Sequence, residues 1–138
     1  MKKFTFIVPG RPKGKGRPRM TRAGHVYTPA STKEYESKIR QAFLKQGGES
    51  FGDAPVMIEI EALYPMPVSW SKKDRAALDG TFCDRLPDID NLAKVVLDSI
   101  QGCATAINND KSVAVLVAQK RWTAGVGGVK VTVTDLTE

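Results

Sequence analysis

The chain has 138 residues, of which 41% are hydrophobic and 26% charged, and its formal net charge is +6 at pH 7. This length fits one domain with its own hydrophobic core, since single domains run to roughly 100–200 residues. No apolar run approaches the roughly 18 residues of a membrane span, and no signal-peptide cleavage site follows the short apolar run at residues 4–8, so we expect a single cytoplasmic domain over residues 1–138.

The first strand is predicted at residues 4–8, where Phe4, Phe6 and Val8 alternate with Thr5 and Ile7. Residues 10–19 are too rich in glycine and proline for a helix or strand, so they predict a loop anchored at one end. This loop lacks the spacing of a phosphate-binding Walker loop.

Basic residues are concentrated in this N-terminal part of the chain. Residues 1–33 hold nine of the 21 basic residues and none of the 15 acidic ones, which leaves a net charge of −3 on the remainder. Such a segment favours a polyanion such as nucleic acid, because each basic group near a phosphate releases condensed counterions. A solvated tail that only aids solubility is the alternative.

The next elements are an amphipathic helix and a strand. Ser31 to Glu34 has the form of a capping box, and apolar residues then recur at helical spacing up to Gly47. The residues expected to be buried are Tyr35, Ile39, Ala42 and Phe43. A strand is predicted at residues 56–64, with Glu59 and Glu61 on its solvated face.

The second half of the chain predicts a short helix, a longer helix and two strands. The short helix opens at Ser71 and closes at Gly80, within an irregular connection. The longer helix begins near Asp90 and buries Leu92, Val96, Ile100 and Cys103. Strands at residues 113–122 and 129–135 flank a glycine-rich turn, which predicts a hairpin. The order β-α-β-α-β-β describes an α+β domain in which two main helices cover a mixed sheet.

Asp88 and Asp90 are the first candidates for chemistry. Pro87 favours an extended approach, and an Asp-x-Asp pair in extended backbone directs both carboxylates to one side, where they can reach one metal ion. The alternative is that Asp90 or Asn91 only caps the helix.

Lys94, Asp98 and Asp110 extend this acidic cluster. Asp90, Lys94 and Asp98 share one helix face by their spacing, so Lys94 either stabilises charge on a phosphate or forms an ordinary ion pair with Asp90 or Asp98. Asp110 is a third carboxylate if the chain folds back onto the helix start, and otherwise a turn residue.

These motifs resemble the RusA-type Holliday junction resolvases of bacteria and their prophages. The resemblance rests on Pro87-Asp-Ile-Asp-Asn-Leu-Ala-Lys94, on Leu97-Asp-Ser-Ile100, on Asn109-Asp110 before a hydrophobic strand, and on the basic loop after the first strand. It implies a homodimeric, magnesium-dependent endonuclease that resolves four-way DNA junctions by paired nicks, with Mn²⁺ able to replace Mg²⁺. The catalytic and metal-binding carboxylates then correspond to Asp88, Asp90 and Asp110, and the essential lysine to Lys94. Asn109 stands where many relatives have a second acid, which leaves open whether Asp98 or Asn109 contributes.

The basic residues near these carboxylates are the candidates for holding DNA. They are Lys13, Lys15, Arg17, Arg19 and Arg22 of the N-terminal segment, with Lys72 and Lys73 of the long connection. Two other classes of function stay open: a non-catalytic nucleic-acid-binding module, and a different magnesium-dependent phosphotransferase. No chemistry is assigned to the two cysteines, Cys83 and Cys103, or required of the single histidine, His25.

Overall fold

The computed structural model describes residues 2–102 and 105–137. The strands are β1 (Lys3–Pro9), β2 (Arg19–Met20), β3 (Val26–Tyr27), β4 (Val56–Pro65), β5 (Val113–Thr123) and β6 (Gly128–Asp135). The helices are α1 (Ala30–Lys45), α2 (Lys72–Leu78) and α3 (Ile89–Ser99), and a short 3₁₀ helix spans Asp110–Ser112. Cys103, which we expected near the end of α3, lies outside the described residues. Within them, no helix is both long and apolar enough to cross a bilayer.

A four-stranded mixed sheet forms the centre of the domain, in the order β1-β6-β4-β5. β6 pairs antiparallel with both β1 and β4, whereas β4 and β5 run parallel. β2 and β3 form a separate two-stranded ribbon. The α+β class with a mixed sheet is therefore confirmed.

Helices α1 and α3 cover one face of this sheet, and the core lies between the two layers. The alternating apolar residues of β1 and β4 bury the expected side, and Tyr35, Ile39, Ala42 and Phe43 of α1 are buried as predicted. Leu92 and Val96 of α3, and Ile100 directly after it, are also fully buried. Because each such side chain contributes about 1.5–3 kcal/mol on burial, these faces fix how the helices sit on the sheet.

The predicted hairpin between the last two strands is wrong. β4 lies between β5 and β6, so the glycine-rich turn passes over the end of β4 instead of joining neighbours. The glycine-rich turn indicates only that the chain reverses direction. The buried apolar residues of β4 favour a central position for that strand, with β5 on one side and β6 on the other. Gly127, with φ +86°, lies at this crossing.

The predicted caps of the two main helices also differ from the structure. α1 begins at Ala30 after Pro29, with no side-chain cap, so Ser31 lies inside the helix. α3 begins at Ile89 with Asp88 at its N-cap position, so Asp90 and Asn91 belong to the first turn. The predicted short helix is confirmed as α2, with the Ser71 hydroxyl accepting from the Asp74 amide.

We expect Gly127→Ala to destabilise the domain by about 1–3 kcal/mol, because a side chain at this positive φ is strained. Its Cβ would also lie 2.7 Å from the Leu63 carbonyl oxygen and 2.8 Å from Pro65 Cδ. The matched control is Gly125→Ala, whose Cβ would meet only the Thr123 hydroxyl at 3.6 Å. Urea unfolding of both variants measures this difference. Equal stability of the two variants would contradict the close passage of Gly127 over the end of β4.

Candidate acidic site and basic loop

Asp88 and Asp90 lie together at the N-terminal end of α3, and both residues are exposed. Asp88 has extended backbone with φ −62° and ψ 148°, whereas Asp90 belongs to the helix and accepts from the Asn91 amide at 3.0 Å. The expectation that both aspartates are extended is therefore wrong, because the helix begins one residue before Asp90. The two carboxylates still lie within the same helical end.

The approach to Asp88 is fixed to strand β5 by Lys120. The Lys120 ammonium donates to the carbonyl oxygens of Arg85 and Pro87, at 2.6 and 2.8 Å. The Cys83 amide donates to the Lys120 carbonyl at 2.9 Å. These bonds attach the segment before α3 to the sheet, so the position of Asp88 depends on β5.

The basic loop between β1 and β2 lies against the same end of α3. The Lys15 amide donates to the Asn91 carbonyl at 2.9 Å, and the Gly16 amide donates to the Thr32 hydroxyl at 3.1 Å. Gly14 passes so close that a Cβ there would lie 2.6 Å from Pro87 Cβ. The loop is thus fixed at its middle as well as at β1, directly beside the two carboxylates.

Six of the seven candidate DNA-binding residues are exposed, namely Lys13, Arg17, Arg19 and Arg22 in the N-terminal segment and Lys72 and Lys73 on α2. Lys15 differs, because its side chain is only 20% exposed and its ammonium lies 3.2 Å from Glu36 and 3.1 Å from Asp98. Burial by itself would lower the pKa of Lys15, but its hydrogen bonds and charge contacts with Asp98 and Glu36 outweigh burial and raise that pKa above its usual value. Lys15 is therefore a charged link between α1 and α3.

Lys94 lies one turn beyond Asp90, and its ammonium is 3.2 Å from Asp98. The lysine side chain is 55% exposed and the Asp98 side chain only 14% exposed. Of the two ion pairs considered for Lys94, the structure contains the one with Asp98. Because the lysine is more than half exposed, water can solvate its ammonium when it exchanges partners.

Asp110 lies at the opposite end of α3. It begins the short 3₁₀ helix, and its amide donates to the Gln101 side chain at 3.0 Å. The 11 residues of α3 rise about 16 Å, so Asp110 is separated by roughly this length from the start of the helix. Accordingly, residues 2–102 and 105–137 of one chain contain no cluster of three or more acidic, histidine or cysteine residues suited to a metal ion.

Three residues that shape this region have no signal in the sequence. Thr32 and Glu36 of α1 bind the loop, and Lys120 holds the segment before Asp88. Helical and strand periodicity does not identify a partner for any of them. Their partners come from distant parts of the chain, so only the tertiary structure reveals them.

One comparison with known proteins identifies a family. The family model described as "Endodeoxyribonuclease RusA" matches residues 9–134 of this chain. The match includes the basic loop, both carboxylates at the start of α3, Lys94, Asp110 and the last two strands. No curated protein shows a significant match to the chain.

We expect Lys120→Met to lower the free energy of unfolding by about 1–2 kcal/mol, because it removes a charged donor from two carbonyl groups while keeping the aliphatic stem. The control is Lys130→Met on β6, whose exposed ammonium has no hydrogen-bond partner among the described residues. Urea unfolding monitored by circular dichroism measures both variants. Equal losses would mean that Lys120 does not fasten the segment before Asp88.

Proposed function

Because the chain belongs to the RusA endodeoxyribonuclease family, we propose that it is an endonuclease that cuts four-way DNA junctions by paired nicks. The observation that carries this proposal is the contact between the basic loop and the start of α3. The hydrogen bond from the Lys15 amide to the Asn91 carbonyl brings exposed cations beside Asp88 and Asp90. Cations and carboxylates in one region match a substrate with an anionic backbone and a reaction at phosphate.

The DNA backbone is held by the exposed basic residues in this proposal. Loop residues Lys13 and Arg17 lie on either side of the fixed point at Lys15, while Arg19 and Arg22 belong to the ribbon that follows. Lys72 and Lys73 on α2 add a second basic surface. Their charge offsets the repulsion between DNA and the carboxylates, which would otherwise keep the phosphate away.

Asp88 and Asp90 are the residues that would hold Mg²⁺, or Mn²⁺ in its place. Both are exposed, and no described lysine or arginine forms a salt bridge with either. This donor set fits, because Mg²⁺ prefers oxygen ligands and commonly binds through one or two carboxylates together with substrate phosphates and waters. When bound, the ion neutralises phosphate charge and lowers the pKa of coordinated water.

Lys94 is proposed to contact the phosphate that is cut. Its ammonium is more than half exposed and lies on the same helix, one turn beyond Asp90. A positive group there stabilises the negative charge that grows on phosphate oxygens in the transition state. To reach the phosphate, Lys94 exchanges its contact with Asp98 for one with DNA.

We further propose that the active form is a homodimer in which β5 pairs with β5 of a second copy. Residues 80–83 cover the outer edge of β5 only along residues 120–122, and no described strand pairs with the remainder of that edge. There Val115, Leu116 and Val117 are 42%, 45% and 43% exposed. Two antiparallel copies of one strand are related by a two-fold axis, so this edge is complementary to itself.

This pairing would bring the third carboxylate to the other two. If Leu116 faces Leu116 of the partner subunit, Ser112 lies opposite Lys120 of the partner subunit. Lys120 is the residue that holds the segment before Asp88, so Asp110 of one subunit approaches the carboxylate pair of the other. Two such sites related by a two-fold axis suit paired cuts in a junction of similar symmetry.

We expect Asp88→Asn and Asp90→Asn each to abolish cutting of a labelled four-way junction in Mg²⁺ while junction binding persists, because the amide keeps the shape but loses the charge that holds the metal. The assay compares wild type and variants on a junction and on linear duplex of the same sequence, with and without Mg²⁺. Binding without cutting by the wild type would instead favour a non-catalytic DNA-binding module. Near-normal nicking by both variants would remove these residues from the site.

Mixed dimers test the contribution of Asp110. Asp88→Asn and Asp110→Asn chains should each be inactive alone, whereas co-refolded mixtures should recover about a quarter of wild-type nicking, because half of the random dimers contain one intact site. The control mixture of Asp88→Asn with Asp90→Asn leaves every site damaged and should stay inactive. An inactive first mixture, with dimer formation verified by light scattering, would show that Asp110 does not act across subunits.

A further inference from the structure

The carboxylate of Asp98 lies between two ammonium groups. Its Oδ1 is 3.2 Å from Lys94 and its Oδ2 is 3.1 Å from Lys15. Because each lysine uses a different oxygen, one contact can break while the other stays. Asp98 is only 14% exposed, so water compensates it poorly when a partner leaves.

Lys15 is held far more firmly than Lys94. Its ammonium also contacts Glu36 on α1, its amide is bonded to the Asn91 carbonyl, and the next residue is bonded to the Thr32 hydroxyl. The side chain of Lys94 has only the contact with Asp98 among the described residues, and it is largely exposed. Of the two lysines, Lys94 is therefore the one free to move.

A count of charges shows what Lys15 contributes. Lys15, Glu36, Asp98 and Lys94 together are neutral. When Lys94 moves away, the three remaining groups carry one net negative charge. If Lys15 were absent as well, the two shielded carboxylates would carry two negative charges, and their attraction would oppose the departure of Lys94 much more strongly.

We propose that Lys15 is a positioning residue that keeps Asp98 neutralised, so that Lys94 can leave Asp98 for the DNA phosphate. This inference rests on the proposed function, in which Lys94 contacts the phosphate. It gives Lys15 a different task from the exposed basic residues of the loop: its ammonium faces two carboxylates instead of DNA. The raised pKa of Lys15 is consistent with a lysine that stays charged at this position.

The first test measures Lys94 without DNA. In Lys15→Met, Lys94 becomes the sole cationic partner of Asp98, so its side chain should be held more firmly and become less mobile than in the wild type. Nuclear magnetic resonance relaxation of the lysine side chains reports this loss of mobility. The control Lys45→Met removes an exposed cation at the far end of α1 and should leave the mobility of Lys94 unchanged. An unchanged mobility of Lys94 in folded Lys15→Met would overturn the proposal.

The second test measures single-turnover nicking of a four-way junction at saturating enzyme. We expect Lys15→Met to nick about tenfold more slowly, which corresponds to 1.36 kcal/mol on the barrier. Adding Asp98→Asn to Lys15→Met should restore most of the rate, because the neutral amide no longer retains Lys94. Lys15→Arg should keep the rate, which also covers the case in which Lys15→Met folds poorly.

A merely structural role for Lys15 predicts the opposite in the double variant. Asp98→Asn would then remove a second contact between the loop and the helices, and the rate would fall further. That result, or a wild-type rate in Lys15→Met, would refute the positioning role. A wild-type chain that cuts no junction would refute the proposed function instead, while the mobility of the Lys94 side chain would still decide whether Lys15 controls its pairing with Asp98.

Discussion

The packing of α3 across the sheet controls where the acidic groups of this chain lie. Leu92, Val96 and Ile100 are fully buried. Rotating or reversing the helix would expose these apolar side chains to water, at a free-energy cost of several kcal/mol. The Lys120 bonds then fix the start of α3 near the covered part of β5, and the chain returns past Gln101 to begin β5 at the opposite end. A single chain therefore separates Asp110 from Asp88 and Asp90, which is why the proposed three-carboxylate centre includes a second chain.

The basic loop follows from the same arrangement. It crosses the first turn of α3 through backbone bonds, and its only strongly shielded ammonium, Lys15, is placed between acids of two helices. This ion-pair cluster fixes a segment whose glycines and prolines leave it without helix or strand. The loop thereby divides its cations by role, with Lys15 facing inward and its neighbours Lys13 and Arg17 facing solvent.

The sequence predicts local features of this fold better than long-range ones. The burial of Ile39 and Phe43, the short helix after Ser71 and the strand at β4 follow from periodicity and capping within a few residues. The predicted pairing of β5 with β6 is wrong because β4 lies between them. The periodicity within a strand does not show which strands are its neighbours. Asp88 and Asp90 are two residues apart, so their proximity could be predicted from the sequence. The inward position of the Lys15 side chain could not, because it depends on Glu36 and Asp98 in helices that are distant in the sequence.

Strand β5 connects assembly with chemistry in the proposed dimer. Sheet edges are commonly protected by lysine, proline or a covering segment, and residues 113–118 contain neither lysine nor proline. Residues 80–83 protect only the part of the edge that follows, and the same chain segment continues through the Lys120 contacts to Asp88. Lys120 therefore lies where the covered part of the edge begins, and it also holds the segment that positions Asp88. A partner strand that adds to the open part necessarily ends beside that point, so the register of the dimer would determine whether Asp110 reaches the metal-binding pair.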